Sequence, residues 1–286
     1  MRLQIAGWLF IAVPTLLSAQ TGAKKPSFMP AGIVEHHGTL GTLTASDPRP
    51  LFQAVEAIGQ EYGWVIDFED PPYRSHFDMV DSTDPDWRAS HPNDKGVTRV
   101  TGGEFQSQFA EPSTILSGDA QWQVLQKVVA DYNGSGNPGK FTVRKEVEGR
   151  YAVIGVTRKD EAGKDETVPV LLDTAITLPV QQRSADETLQ MILQILSATS
   201  GVRVLMSSTW LSSYPLDGIV TSVGGTNVPA RALLLQVLDA ASSRRLFRWD
   251  LLFDGNEDAY YLRLSTATKM RTDNQGRRMP QALERR

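Results

Sequence analysis

Asp67 and Glu69, two residues apart in Trp64-Val-Ile-Asp-Phe-Glu69, share one face of any strand and are placed as the paired carboxylates of a glycosidase would be. Acidic residues are also common at strand ends, and the structural role is the expectation. A second group lies downstream: His76, Asp78 and His91 beside Asp81, Asp84 and Asp86, residue types that bind zinc or a hard cation. The spacing Asp81, Asp84, Asp86 misses the 1, 3, 5 rhythm of a calcium loop and no glycine marks its turn, so a solvated acidic loop is expected. Glu35-His36-His37 sends adjacent side chains to opposite sides of an extended chain, against joint ligation. Gly134-Ser-Gly-Asn-Pro-Gly139-Lys140-Phe141 matches G-x-G-x-x-G and nearly matches a phosphate loop. Such a site needs strand, loop, then helix. Here a helical pattern precedes and a strand pattern follows, and Phe141 replaces the magnesium-binding hydroxyl, so a helix stop is expected. No G-x-S-x-G or S-x-x-K occurs, and no cysteine, which excludes thiol catalysis, disulfides and iron–sulfur clusters. No catalytic, cofactor-binding or metal-ligating residue is assigned.

The elements that would position these groups are legible from periodicity. Leu51, Phe52, Val55, Ile58 and Tyr62 form a helical stripe over 47–63, with Asp47 placed to cap it, Pro48 or Pro50 in the first turn and Gly63 to stop it. Strand 64–68 follows. A helix over 119–132 carries Trp122, Leu125, Val128, Val129 and Tyr132, and strands 141–147 and 150–156 flank the hairpin turn Glu148-Gly149-Arg150. The second half repeats the order. Strand 174–180 precedes a helix with a Ser184–Glu187 capping box, the stripe Leu189, Ile192, Leu193, Leu196, Thr199 and the stop Gly201. Strands 202–206 and 219–223 come next, then a helix opened by Asn227 and Pro229 and a hairpin of 246–253 and 260–264. Residues 69–96 are extra in the first copy. The fold class expected is α+β: two tandem βαββαβ-like modules, each a small mixed sheet with helices packed on one face. Trp64, Trp122 and Trp249 fall on structured segments, whereas Trp87 and Trp210 fall in loops, under which a satellite apolar cluster is expected.

The N-terminus reads as an export signal. Arg2 precedes an uncharged stretch from Leu3 to Leu17, shorter than the ~20 residues of a spanning helix, and Leu17-Ser18-Ala19 places the cut after Ala19. Gln20, not cysteine, follows, so no lipid anchor is expected. The layout is then 1–19 signal peptide, 20–32 flexible leader, 33–160 first module with inserted loop 69–96, 168–264 second module and 265–286 basic flexible tail. Removing the signal leaves 28 basic against 33 acidic residues, and the tail carries +4, so residues 20–264 sum to −9. An acidic body argues against nucleic acid, which needs a basic face.

The second half, SADETLQMILQILSATSGVRVLM followed by NVPARALLLQVLDA, resembles the short N-terminal domain of secretins and TonB-dependent receptors. There a helix ending in Gly, a strand, a V-P-x-x-x-A-L helix start and a hairpin recur, and Val228, Pro229, Leu233 and Leu234 sit where that start would be. DPRPLFQAVEAIGQEYGWVIDFEDPPY looks like the same plan in degenerate form. The resemblance implies envelope modules that bind partners or small ligands and do no chemistry. With 22 residues after the last strand, no receptor barrel or secretin pore is expected. The expected function is an exported, non-catalytic interaction or ligand-binding protein of the bacterial cell envelope, partnered by an envelope protein or glycan, with no cofactor and no membrane segment after signal cleavage. The rival is a periplasmic hydrolase, metal-assisted, built on the 69–96 insertion.

Overall fold

A computed structural model of the chain describes residues 32–112, 118–147, 149–207, 216, 218–242 and 245–285. Residues 1–19, expected as a signal peptide, nearly all of the expected leader, Glu148 and Trp210 lie outside the described residues. In chain order the strands and helices are β1 (Ile33–His37), β2 (Leu40–Ala45), α1 (Pro50–Tyr62), β3 (Val65–Glu69), β4 (Met79–Asp81), α2 (Pro85–Ser90), β5 (Thr98–Val100), β6 (Phe105–Ala110) and α3 (Gly118–Gly134). Then come β7 (Lys140–Val147), β8 (Arg150–Lys159), β9 (Asp165–Thr167), β10 (Ala175–Leu178), β11 (Arg183–Ser184), α4 (Ala185–Ser200), β12 (Arg203–Met206), β13 (Val220–Thr221) and β14 (Gly225–Pro229). The last are α5 (Ala230–Ala241), β15 (Phe247–Asp254), β16 (Ala259–Thr266), β17 (Thr268–Thr272) and β18 (Arg278–Ala282). The chain is α+β, with small mixed sheets around a larger one.

The helices form where periodicity and capping agree. In α4 the Ser184 hydroxyl accepts from the Glu187 amide at 3.1 Å, and Gly201 at φ 72° returns its N–H to Ser197. Leu189, Ile192, Leu193 and Leu196 are all buried, and at about 1.5–3 kcal/mol per side chain this stripe, more than propensity, holds the helix. Helix α1 ends the same way at Gly63, φ 73°. Its start differs from expectation. Arg49, not Asp47, occupies the cap position with a left-handed backbone and no capping bond, since a guanidinium has no acceptor to offer the helix amides; it donates instead to Asp70 and the Phe253 carbonyl.

The principal sheet has the order β12-β16-β15-β3-β8-β7, with β9 added to β8. Strand β3 pairs parallel with β8 and β8 antiparallel with β7; β12 pairs parallel with β16 and β16 antiparallel with β15. The two halves therefore use one strand order, but they are joined in one sheet by the parallel contact of β15 with β3. Two separate small sheets, as expected from sequence, are not what the strands build. Successive strand residues face opposite ways. Phe68 meets Phe52 of α1 and Phe141, which Tyr132 of α3 covers, whereas the adjacent Glu69 meets Arg231 of α5. So α1 and α3 cover one face, and α5, with α4 beside it, covers the other. The second half is thus the first turned over by a half-turn about an axis crossing the strands.

The β15–β3 seam is closed by carboxylates. Asp70 N–H donates to the Leu251 carbonyl at 2.9 Å, while Trp249 N–H donates to Asp67 Oδ1 at 2.9 Å and Phe253 N–H to Asp70 Oδ2 at 3.1 Å. The four residues Asp67-Phe68-Glu69-Asp70 are buried because they are the centre of the sheet.

Two regions read from sequence as loop or tail carry regular structure. Within the insertion lie β4, which forms a ladder with β5 just beyond it, and α2, capped by Asp84, which accepts from the Asp86 and Trp87 amides. The motif docks on the β15–β16 turn, where Asn256 accepts from Thr98 N at 2.7 Å and donates to Thr98 O at 2.8 Å. Residues 265–286, expected as a flexible tail, instead form the β17–β18 hairpin against α1. Its turn is built by Asp273, which accepts from the Gln275 and Arg277 amides, and Gly276 at φ 79°.

Candidate functional site

The carboxylates that could have done chemistry are engaged by arginines. Arg150 grips Asp67 with two bonds of 2.6 and 2.9 Å; Arg231 reaches Glu69 at 2.6 Å and Asp173 at 3.1 Å; Arg49 reaches Asp70 at 2.8 Å. On the opposite face Arg248 and Arg263 bracket Asp250 and share Glu56 of α1. Burial pushes the carboxyls of Asp67, Glu69 and Asp70 up, and the arginines pull them back. The Asp67 and Glu69 oxygens are spent on guanidinium and backbone donors, so these two residues brace the seam and are not free to take a proton from a substrate, whereas Asp70 uses only Oδ2 in this way.

In the insertion the candidate ligands diverge. His91 stacks on Trp87 at 4.7 Å, His76 is 3.9 Å from Glu161, and Asp78 accepts from the Lys159 amide at 2.7 Å. Asp81 holds Thr83 and Arg88. Among the described residues no three His, Cys, Asp or Glu side chains converge as a metal site. The Gly134–Lys140 stretch satisfies itself: Tyr132 donates to the Pro138 carbonyl, and Asn133 both accepts from Phe141 N and donates to Phe141 O. Its helix precedes it and its strand follows, so no helix N-terminus faces an anion there.

His36 is engaged in a way the sequence did not disclose. Its Nδ1 lies 2.6 Å from Glu111 and its Nε2 3.0 Å from Glu61, two carboxylates on different elements. A neutral imidazole has one N–H and cannot donate to both. The Glu111 bond chiefly, with Glu61 adding, holds His36 above its ordinary value against a smaller effect of burial. Tyr62 donates to Glu111, and Arg278 of β18 pairs with Glu61, so this clasp ties β1, α1 and the final hairpin together.

Among several surface pockets of the described residues, one is a groove of about 740 Å³ between β7 and α5. Its floor is the buried Arg231, 4% exposed, which lies over the Trp249 ring at 5.2 Å and 3.4 Å from Glu146 of β7. Its rim is Arg144, paired with Asp173 through bonds of 2.7 and 2.8 Å, and Asp239 of α5. Burial raises Glu146; Asp173, although burial opposes it, is held low by Arg144 and Arg231. Val147, Pro229 and Leu235 supply apolar wall, and Val147 is 57% exposed.

Strand β7 ends the sheet, so one side of its backbone has no neighbouring strand among the described residues. Asn133 bonds both N–H and C=O of Phe141, which sets Phe141, Val143 and Lys145 facing the open edge and Thr142 and Arg144 facing β8. The arrangement offers an extended ligand a row of main-chain groups beside a pocketed helix face. Arg144, Glu146, Asp173 and Arg231 were not singled out by sequence. The one available signal was Arg231, a charge on the apolar stripe of its helix. No helix among the described residues is long and apolar enough to cross a membrane. Comparison with protein-family models, curated proteins and solved structures returns no match.

Proposed function

We propose that this protein is a non-catalytic interaction module, exported to the cell envelope, that binds an extended segment of an envelope protein along β7. The observation that carries this reading is the open β7 edge beside the groove lined by α5. Main-chain bonding to the edge supplies affinity, and the Arg144, Glu146 and Val147 side chains with Leu235 of α5 supply selection among sequences. The commitment of Asp67 and Glu69 to arginines removes the carboxylate pair that a glycosidase would use and favours a binding role. Export follows from the N-terminal signal pattern.

The test is a photo-reactive residue at Val147, with Val180, also exposed, as control. In the native envelope Val147 captures a defined protein and Val180 does not. Equal capture at both positions, or none at Val147, overturns the reading.

A further inference from the structure

The β15–β3 seam is a template for what the two ends of the sheet, which have no further strand among the described residues, can do. Strands β3 and β12 both begin two residues after a helix-stopping glycine, Gly63 and Gly201. Phe68 pairs with Val153, and Val153 with Val143; in the second half Met206 pairs with Leu262, and Leu262 with Leu251. The registers therefore make Met206 the counterpart of Phe68, Val143 that of Leu251 and Thr142 that of Asp250. Within the chain, β15 lies parallel to β3 with Asp250 opposite Phe68. At the ends of the same sheet lie their counterparts, β7 and β12.

From this, and resting on the reading of β7 as a binding edge, the geometry points to the β12 edge of a second copy of this chain as the strand that β7 accepts, parallel and with Thr142 opposite Met206. The outward main-chain groups agree. On β12 the Ser197 hydroxyl, which donates to Leu193 O at 2.7 Å, accepts from Val204 N at 2.9 Å and so takes up that outward amide; on β7 Asn133 closes Phe141. The next outward positions are Met206 and Val143, those that the template joins. In the seam Asp67 is needed to receive the Trp249 amide; at the new junction the corresponding Phe141 amide already has Asn133, and the residue in the place of Asp67 is the partly exposed Leu205. Charges at Arg144, Lys145 and Glu146 keep the edge from pairing indiscriminately, so the contact is reversible. Joining two different edges is heterologous and generates open chains of molecules.

The full chain has no cysteine, so introduced thiols are the only ones present. Thr142→Cys and Met206→Cys variants are prepared separately, checked against the parent by circular dichroism and thermal melting, mixed and oxidised. The expected result is a disulfide-linked 1:1 pair of the two variants, with neither variant alone forming disulfide-linked species; light scattering on the unmodified chain shows mass rising with concentration. Homotypic crosslinks as abundant as mixed ones, or an unmodified chain of constant monomer mass, overturn the inference. A monomeric chain that still captures a different envelope protein from Val147 discards the second copy and leaves the binding edge standing.

Discussion

Arg231 shows how one residue carries both fold and groove. It is the sole cation bonded to Glu69 among the described contacts, and both side chains are almost wholly buried. Arg231→Met leaves Glu69 buried without a counter-charge, which costs about 3–5 kcal/mol of unfolding free energy in urea titrations. Glu69→Gln in that background recovers part of the loss; a cost below about 1 kcal/mol would show that Glu69 finds water or another partner. His36 gives a pH prediction. Its folded value is raised by Glu111 and Glu61, so its contribution is full below its unfolded value near 6.5 and is lost as pH rises through the folded one. As a half-exposed group it is worth at most about 1 kcal/mol. The melting temperature of the parent should exceed that of His36→Gln at pH 5.5, and the difference should vanish by pH 9. A difference independent of pH would mean that His36 acts by packing alone.

Elements were legible in proportion to their apolar periodicity. The stripes of α1, α3, α4 and α5 and the glycine stops were read from sequence because a helix must bury one face and needs a left-handed residue to end. Strands β1, β4, β17 and β18 were not, since each is short and mostly exposed and lacks the alternation that marks a half-buried strand, and β2 and β6 were also missed although β6 alternates buried and exposed residues throughout. The Asp273–Gly276 turn of the final hairpin was the readable signal there. The insertion depends on Asn256, whose bonds to Thr98 cross from one half of the chain to the other. Asn256→Ala should raise protease sensitivity within 79–100 at least several-fold while lowering global stability by only about 1 kcal/mol. Unchanged proteolysis would mean that other contacts hold the motif.

At the scale of the molecule, the class α+β was readable, but the shared sheet was not. Nothing in local pattern tells β3 that its neighbour is β15, 182 residues away. The clue was chemical: Asp67, Glu69 and Asp70 in an otherwise apolar segment mark a strand whose carboxylates face partners from elsewhere in the chain. Because the seam runs through one buried core, thermal unfolding of residues 32–285 should give a single transition. Two resolved transitions would mean that the halves unfold independently. The central claim, that β7 is an open edge kept for a partner strand, is tested most directly by amide hydrogen exchange resolved residue by residue. In dilute protein the Val143 and Lys145 amides should exchange far faster than those of Thr142 and Arg144, and in concentrated protein or with envelope extract Val143 should become protected. Equal protection along β7 in the dilute protein, or no change at Val143 under either condition, would contradict the account.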